Sequence, residues 1–168
     1  MPEMPEMPEM KASARISELG LTLPKPVAPL GSYAAATVVG TQVWTSGQLP
    51  MIDGALPATG TVGEDVSAEQ ANDLARTAAL NALAAIDGAV GIDNVTRVLK
   101  LVVFVSSAAD FYGQPQVANG ASDLMTEIFG EAGVHVRSAV GVAALPANSP
   151  VEIEVVVEAS GSGNETLN

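Results

Sequence analysis

The stretch that most narrows the possible fold is Val95 to Val105. It holds Val95, Val98, Leu99, Leu101, Val102, Val103, Phe104 and Val105, and its second half is apolar without a break. β-Branched and aromatic residues favour strands. A run apolar at every position, not every second one, predicts a central strand covered on both faces. The rest of the chain must supply a sheet around it and helices over it. Ser67-Ala-Glu-Gln70 is a capping box, with Ser67 as N-cap and Gln70 reaching back. Ala71, Leu74, Ala75, Ala78, Leu83 and Ile86 then recur at helical spacing, so a long helix runs to about Ile86 and closes near Gly88 or Gly91. Ala108 to Gly120, with Gly113 and Pro115, reads as loop. Ser122-Asp123 opens a second helix that buries Leu124, Met125, Ile128 and Phe129 and ends at Gly133.

Strands are expected at both ends. Ser32–Gly40, with Tyr33 at its start, and Gln42–Gly47 read as a hairpin around Gly40-Thr41. Val136 onward and Val151–Val157 read as a second pair joined by a turn. A short helix over residues 11–20, capped by Ser13 and ended by Gly20, precedes them, and Pro24, Pro26 and Pro29 mark an extended connection. The order β-β-α-β-α-β-β predicts an α+β fold, one mixed sheet with two helices packed on one face. One domain is expected over residues 13–159. Met-Pro-Glu repeats mark residues 1–12 as a disordered leader, and residues 160–168 read as a disordered polar tail.

Charge and composition remove several function classes. Net charge is -12, and the seven Lys and Arg residues form no run. Nucleic-acid affinity rests on clustered cations, so neither nucleic acid nor an anionic membrane is an expected partner. With no Cys and His135 as the single His, thiolate catalysis and Cys- or multi-His metal sites are excluded. No apolar run approaches the ~18 residues of a transmembrane helix, and no basic segment with an apolar core opens the chain, so a cytoplasmic protein is the expectation.

One of those few cations, Arg137, stands inside an apolar β-like run, His135-Val-Arg-Ser-Ala-Val-Gly-Val142. A guanidinium is costly to desolvate unless it is paired or meets an anion. Two readings stand. Arg137 lies at a sheet edge and pairs with Glu152 or Glu154, or it clamps a small carboxylate through two parallel hydrogen bonds. Glu152 and Glu154 share one strand face. That face is either simply solvated, the reading favoured for Glu154, or it lets Glu152 hold a water or move a proton beside a substrate. Tyr33 is a rim tyrosine or a pocket wall. Ser46 donates to a ligand or starts a turn with Gly47. His135 is a rim residue before it is an acid or base.

Thr45-Ser46-Gly47-Gln48, Val136-Arg137-Ser138, Leu145-Pro146 and Val151-Glu152-Ile153-Glu154 together resemble the Rid family of reactive-intermediate deaminases, also called YjgF-like or endoribonuclease L-PSP/chorismate mutase-like proteins. Glu152 follows Arg137 by fifteen positions and Ser46 follows Tyr33 by thirteen, much as in typical members. The resemblance covers about residues 20–158. It implies a chorismate mutase-like fold, a homotrimer with sites between subunits, and hydrolysis of 2-enamine or 2-imine acids to 2-keto acids and ammonia without a cofactor or metal. By position it implies Arg137 on the substrate carboxylate, helped by the Ala139 amide, Glu152 on the water, Tyr33 lining the pocket, and Ser46 with Gly47 at its wall. Ala139 stands where many members carry Cys, His135 replaces a small residue or proline, and Asn119 and Ser122 are candidates for the family's pocket asparagine. Two other functions stay open: a non-catalytic trimer that binds small carboxylates or acts as a regulator or holdase, and the ribonuclease of the family's older name.

Overall fold

The computed structural model describes residues 9–26, 28–29 and 31–160. The expected leader and tail fall largely outside them, at residues 1–8 and 161–168. The elements are α1 (Ala12–Glu18), β1 (Ala36–Val39), β2 (Gln42–Thr45), α2 (Ala68–Val90), β3 (Val95–Ser106), α3 (Gln114–Phe129), β4 (Val136–Val142) and β5 (Val151–Ala159). The strands form one mixed sheet in the order β1-β2-β5-β3-β4. Only β3 and β4 run parallel. They are joined through α3, the crossover that parallel neighbours require. The fold is the expected α+β arrangement, with α2 and α3 against one face of the sheet and α1 added beside α3.

The core forms between that face and the helices. Val43, Leu101, Val103, Val105, Val151, Ile153, Val155 and Val157 meet Ala75, Ala78, Ala82, Leu83 and Ile86 of α2 and Leu124 and Met125 of α3. The alanine face of α2 keeps the helix close to the sheet. Gly120 lets α3 come close to α2, because a Cβ there would collide with the Asn72 carbonyl of α2. The Ser67 cap holds, its hydroxyl accepting the Gln70 N–H at 3.1 Å.

Five local expectations are corrected. β3 is covered on one face only: Leu101, Val103 and Val105 are buried, while Val102 and Phe104 are half-buried on the open side. Residues 136–159 do not form a hairpin, because β3 lies between β4 and β5. The connection from β4 to β5 crosses that strand, through positive φ at Ala147 and Asn148. The expected loop is helical from Gln114, and Ser122-Asp123 lies inside α3 instead of opening it. Pro115 occupies its first turn, where a missing N–H costs nothing. Ser13 does not cap α1: Lys11 holds that place, and the Ser13 N–H and hydroxyl both bind the Asp93 carboxylate, at 2.8 and 2.7 Å. Those two bonds hold the Asp93 carboxyl below its ordinary range. Tyr33 stands before β1, which starts only at Ala36. Among the described residues, no helix is long and apolar enough to cross a membrane.

Candidate functional site

The Ser46-Gly47 pair sits on an irregularity that its neighbours create. β2 pairs with β5 up to Trp44↔Val156, and pairing resumes as an isolated bridge at Gln48↔Ile153. Three residues on one strand then oppose two on the other, a β-bulge, and bulges re-aim side chains beside sites. The buried Thr45 hydroxyl fills the break by accepting the Val155 N–H at 3.0 Å. Gln48 closes it with two backbone bonds to Ile153, at 2.8 and 3.0 Å. The Ser46 hydroxyl donates to the Ala35 carbonyl at 3.2 Å, and the Gln48 side-chain amide donates back to it at 3.4 Å.

Glu152 lies under this arch. A Cβ on Gly47 would collide with Glu152 Oε1, so the close approach of backbone and carboxyl requires glycine. Here glycine is needed for space, not for an unusual φ. A cavity of about 300 Å³ opens at this point, walled by Tyr33, Ala35, Ser46, Gly47, Gln48, Leu49, Met51, Pro146 and Glu152. Burial pushes the Glu152 carboxyl above its ordinary range, and the like charge of Glu154 pushes the same way. A half-buried carboxyl at a cavity wall, with a raised proton affinity, is suited to hold or move a proton.

The cavity wall is tied to the core by a residue outside the sequence candidates. Asn81 of α2 is 2% exposed. Its amide donates to the Leu49 carbonyl at 2.9 Å and the Met51 carbonyl at 3.0 Å. A polar residue one turn after Ala78, in a face otherwise read as apolar, was the available signal.

Arg137 and Ala139 lie elsewhere. Arg137 pairs with Leu101, which in turn pairs with Val155, and both partners are buried under the helices. Glu152 pairs with Phe104, which pairs with the exposed Val140. Cross-strand partners share a face, so Arg137 is on the helix side and Glu152 on the open side. Ala139, two residues on, shares the side of Arg137. The structure therefore gathers Tyr33, Ser46, Gly47 and Glu152 at one cavity, and keeps Arg137 and Ala139 apart from it. Arg137 lies on the edge strand, as one of its two readings has it, but the ion pair of that reading is absent among the described residues. Among the described residues the ion pairs are Arg15–Glu18 and Arg76–Glu127. Arg137 instead donates to Asn119 and Ser122 of α3, both uncharged. Among the described residues, no group of three His, Cys, Asp or Glu could hold a metal ion.

The chain is similar to known proteins along most of its length. Protein TCP17 of Trypanosoma cruzi is 41% identical over 150 residues, 88% of this chain and 94% of that protein. The 2-iminobutanoate/2-iminopropanoate deaminase of Salmonella typhimurium is 36% identical over 130 residues, 77% of this chain and 88% of that enzyme. The crystal structure of Atu1372 from Agrobacterium tumefaciens, a protein of unknown function, superposes with a TM-score of 0.83 at 41% identity, covering 89% of this chain and 92% of that one. A family model described as YjgF/chorismate mutase-like, with an endoribonuclease label attached, matches residues 13–159. On its sheet order, its helices and these matches, the chain belongs to the YjgF/chorismate mutase-like family.

Proposed function

We propose that this protein is a cytoplasmic, cofactor-free hydrolase of 2-enamine and 2-imine acids of the 2-aminoacrylate kind, which it converts to 2-keto acids and ammonia as a ring of three copies. The observation that carries the reading is the disposition of two charges. Glu152 is half-buried at a cavity with a raised proton affinity. Arg137 holds a guanidinium whose partners in the chain are both neutral. One can serve water and the other a carboxylate, but they sit on opposite faces of one sheet. A site that uses both draws them from neighbouring copies. The open sheet face, with Trp44 and Val140 exposed and Phe104 half-buried, offers the apolar area for such a contact. The name of the Salmonella relative supports the substrate class.

The steps follow from the groups. Arg137 of one copy grips the substrate carboxylate through two parallel hydrogen bonds, helped by the Ala139 amide. Ionised Glu152 of the next copy orients a water and accepts its proton as oxygen adds to the imine carbon. The nitrogen takes up the two water protons in turn, the first returned by Glu152 and the second released by the C–OH as it closes to the 2-keto group, and leaves as ammonia. An enamine first gains a proton at carbon 3 to become the imine. Positioning supplies most of the acceleration, on the order of 7–11 kcal/mol in the best-oriented cases. The ribonuclease reading is set aside, because seven scattered cations at net charge -12 give a polyanion no track.

The direct test is ammonia and keto-acid release from freshly generated imino acids of several side chains, for the natural protein and Arg137→Ala. The proposal expects acceleration by the first and loss of roughly a hundredfold or more in the second, as for a charged anchor removed from a buried ion contact. Acceleration by neither, with pyruvate still raising Tm, would make the chain a carboxylate binder instead.

A further inference from the structure

Arg137 is held by a directed chain of hydrogen bonds that none of the residues' individual roles explains. Its NH1 nitrogen donates to Asn119 Oδ1 at 2.8 Å and to Ser122 Oγ at 3.1 Å. Ser122 Oγ lies 2.9 Å from His135 Nε2, and His135 Nδ1 lies 2.7 Å from the Gly133 carbonyl. With a neutral imidazole, the two ends fix every direction between them. A carbonyl only accepts, so Nδ1 carries the ring hydrogen. In the neutral imidazole, Nε2 then accepts, so the Ser122 hydroxyl donates to it. A guanidinium only donates, so the Ser122 lone pairs and the Asn119 oxygen face NH1. The run Arg137→Ser122→His135→Gly133 is therefore polarised one way, and such chains strengthen their members.

The elements make this arrangement easy. Asn119 and Ser122 are three apart on α3 and share a helix face. His135 and Arg137 are two apart at the start of β4 and share a side of the strand. Both hydrogens of NH1 are spent. Among the described residues, Nε and NH2 have no partner, and that edge of a guanidinium matches the two oxygens of a carboxylate.

We propose that Asn119, Ser122 and His135 are positioning residues that fix the Arg137 guanidinium with its Nε–NH2 edge presented to the substrate carboxylate. The proposal rests on the reading of Arg137 as the carboxylate clamp. The chain also gives the single His a role as the link that accepts from Ser122 and donates to the Gly133 carbonyl, not as an acid or base.

The test uses the full chain, with pyruvate as a non-reacting 2-keto acid and imino acids as substrate. Asn119→Leu and Ser122→Ala are expected to weaken pyruvate binding and raise KM roughly tenfold each, the worth of one hydrogen bond to a charged group. Their kcat should change much less. Asn119→Asp and Ser122→Thr, which keep an acceptor oxygen, should recover near-natural affinity. His135→Phe should weaken binding by a smaller factor, and should add nothing to Ser122→Ala, because it acts through that hydroxyl. The protein has only four arginines, so the side-chain N–H signals of Arg137 can be resolved by NMR. Separate, slowly exchanging NH1 signals are expected in the natural protein, and averaged ones in Asn119→Leu and Ser122→Ala. Averaged signals in the natural protein would overturn the proposal even if those variants failed to fold. So would unchanged pyruvate affinity in both, with Arg137→Ala unable to bind. If Arg137→Ala itself binds pyruvate as well as the natural protein, the clamp reading fails first, and the positioning claim with it.

Discussion

At the scale of single residues, the proposed chemistry turns on Glu152 and what lies against it. Gly47→Ala puts a methyl group where Glu152 Oε1 now sits, and the carboxyl must move. Misplacing a catalytic group by about 1 Å can cost roughly a hundredfold, so that variant is expected to lose most of its kcat while its far-UV spectrum and Tm stay close to natural. The raised proton affinity of Glu152 sets a second expectation. A carboxyl whose affinity is raised keeps its proton to higher pH than a free glutamate, so the base form is lost earlier on acidification. The acid limb of kcat/KM should therefore lie above the ordinary glutamate range. Glu154→Gln removes the smaller of the two causes and should move that limb to lower pH. A limb that stays put in a full pH–rate profile would assign it to another group. Linkage has the opposite sign for stability. Ionising Glu152 is penalised by the fold, so the penalty grows as pH rises through its raised range, and Glu152→Gln should gain Tm near neutrality but not in acid. Arg137 and Glu152 were both legible in the sequence, because a charge in an apolar β-like run demands a reason. Asn119 and Ser122 were not readable as partners of Arg137, because their place depends on where a helix begins.

At the scale of elements, the helix that builds the core also holds the cavity. Asn81 ties α2 to the 49–51 segment. Asn81→Ala leaves two carbonyls without a donor in a buried place, which should cost about 2 kcal/mol. Denaturant unfolding should show a lower midpoint at unchanged slope. Asn81→Asp should be worse, and increasingly so as pH rises, because a carboxylate would face two carbonyl oxygens. Much of the element order was legible. The capping box and alanine spacing of α2 and the unbroken apolar run of β3 leave little choice. The misreadings share a cause, which is that a local signal has two meanings until its neighbours are known. Pro115 breaks a helix interior but suits a first turn. Residues 136–142 and 151–159 are close in sequence, as the strands of a hairpin are, but the α3 crossover pairs β4 in parallel with β3 first. The apolar run of β3 suits cover on both faces, but within one chain it is covered on one.

At the scale of the whole molecule, that half-covered sheet is the feature that speaks to assembly. Helices close one face of a five-stranded sheet, and Trp44, Val136 and Val140 stay exposed while Val102, Phe104 and Val156 are half-buried along the other. The proposed ring of three copies uses this face, and the sidedness of Arg137 and Glu152 then makes each working unit a loan between neighbours. Two crippled proteins should rescue one another. Arg137→Ala and Glu152→Gln, each silent alone, can be unfolded together in equal amounts and refolded. A junction works only when its arginine comes from one variant and its carboxylate from the other. In a head-to-tail ring that happens at about one junction in four, so the mixture should recover about a quarter of natural activity. If both groups belonged to one chain's own pocket, no junction could be repaired and the mixture would stay silent.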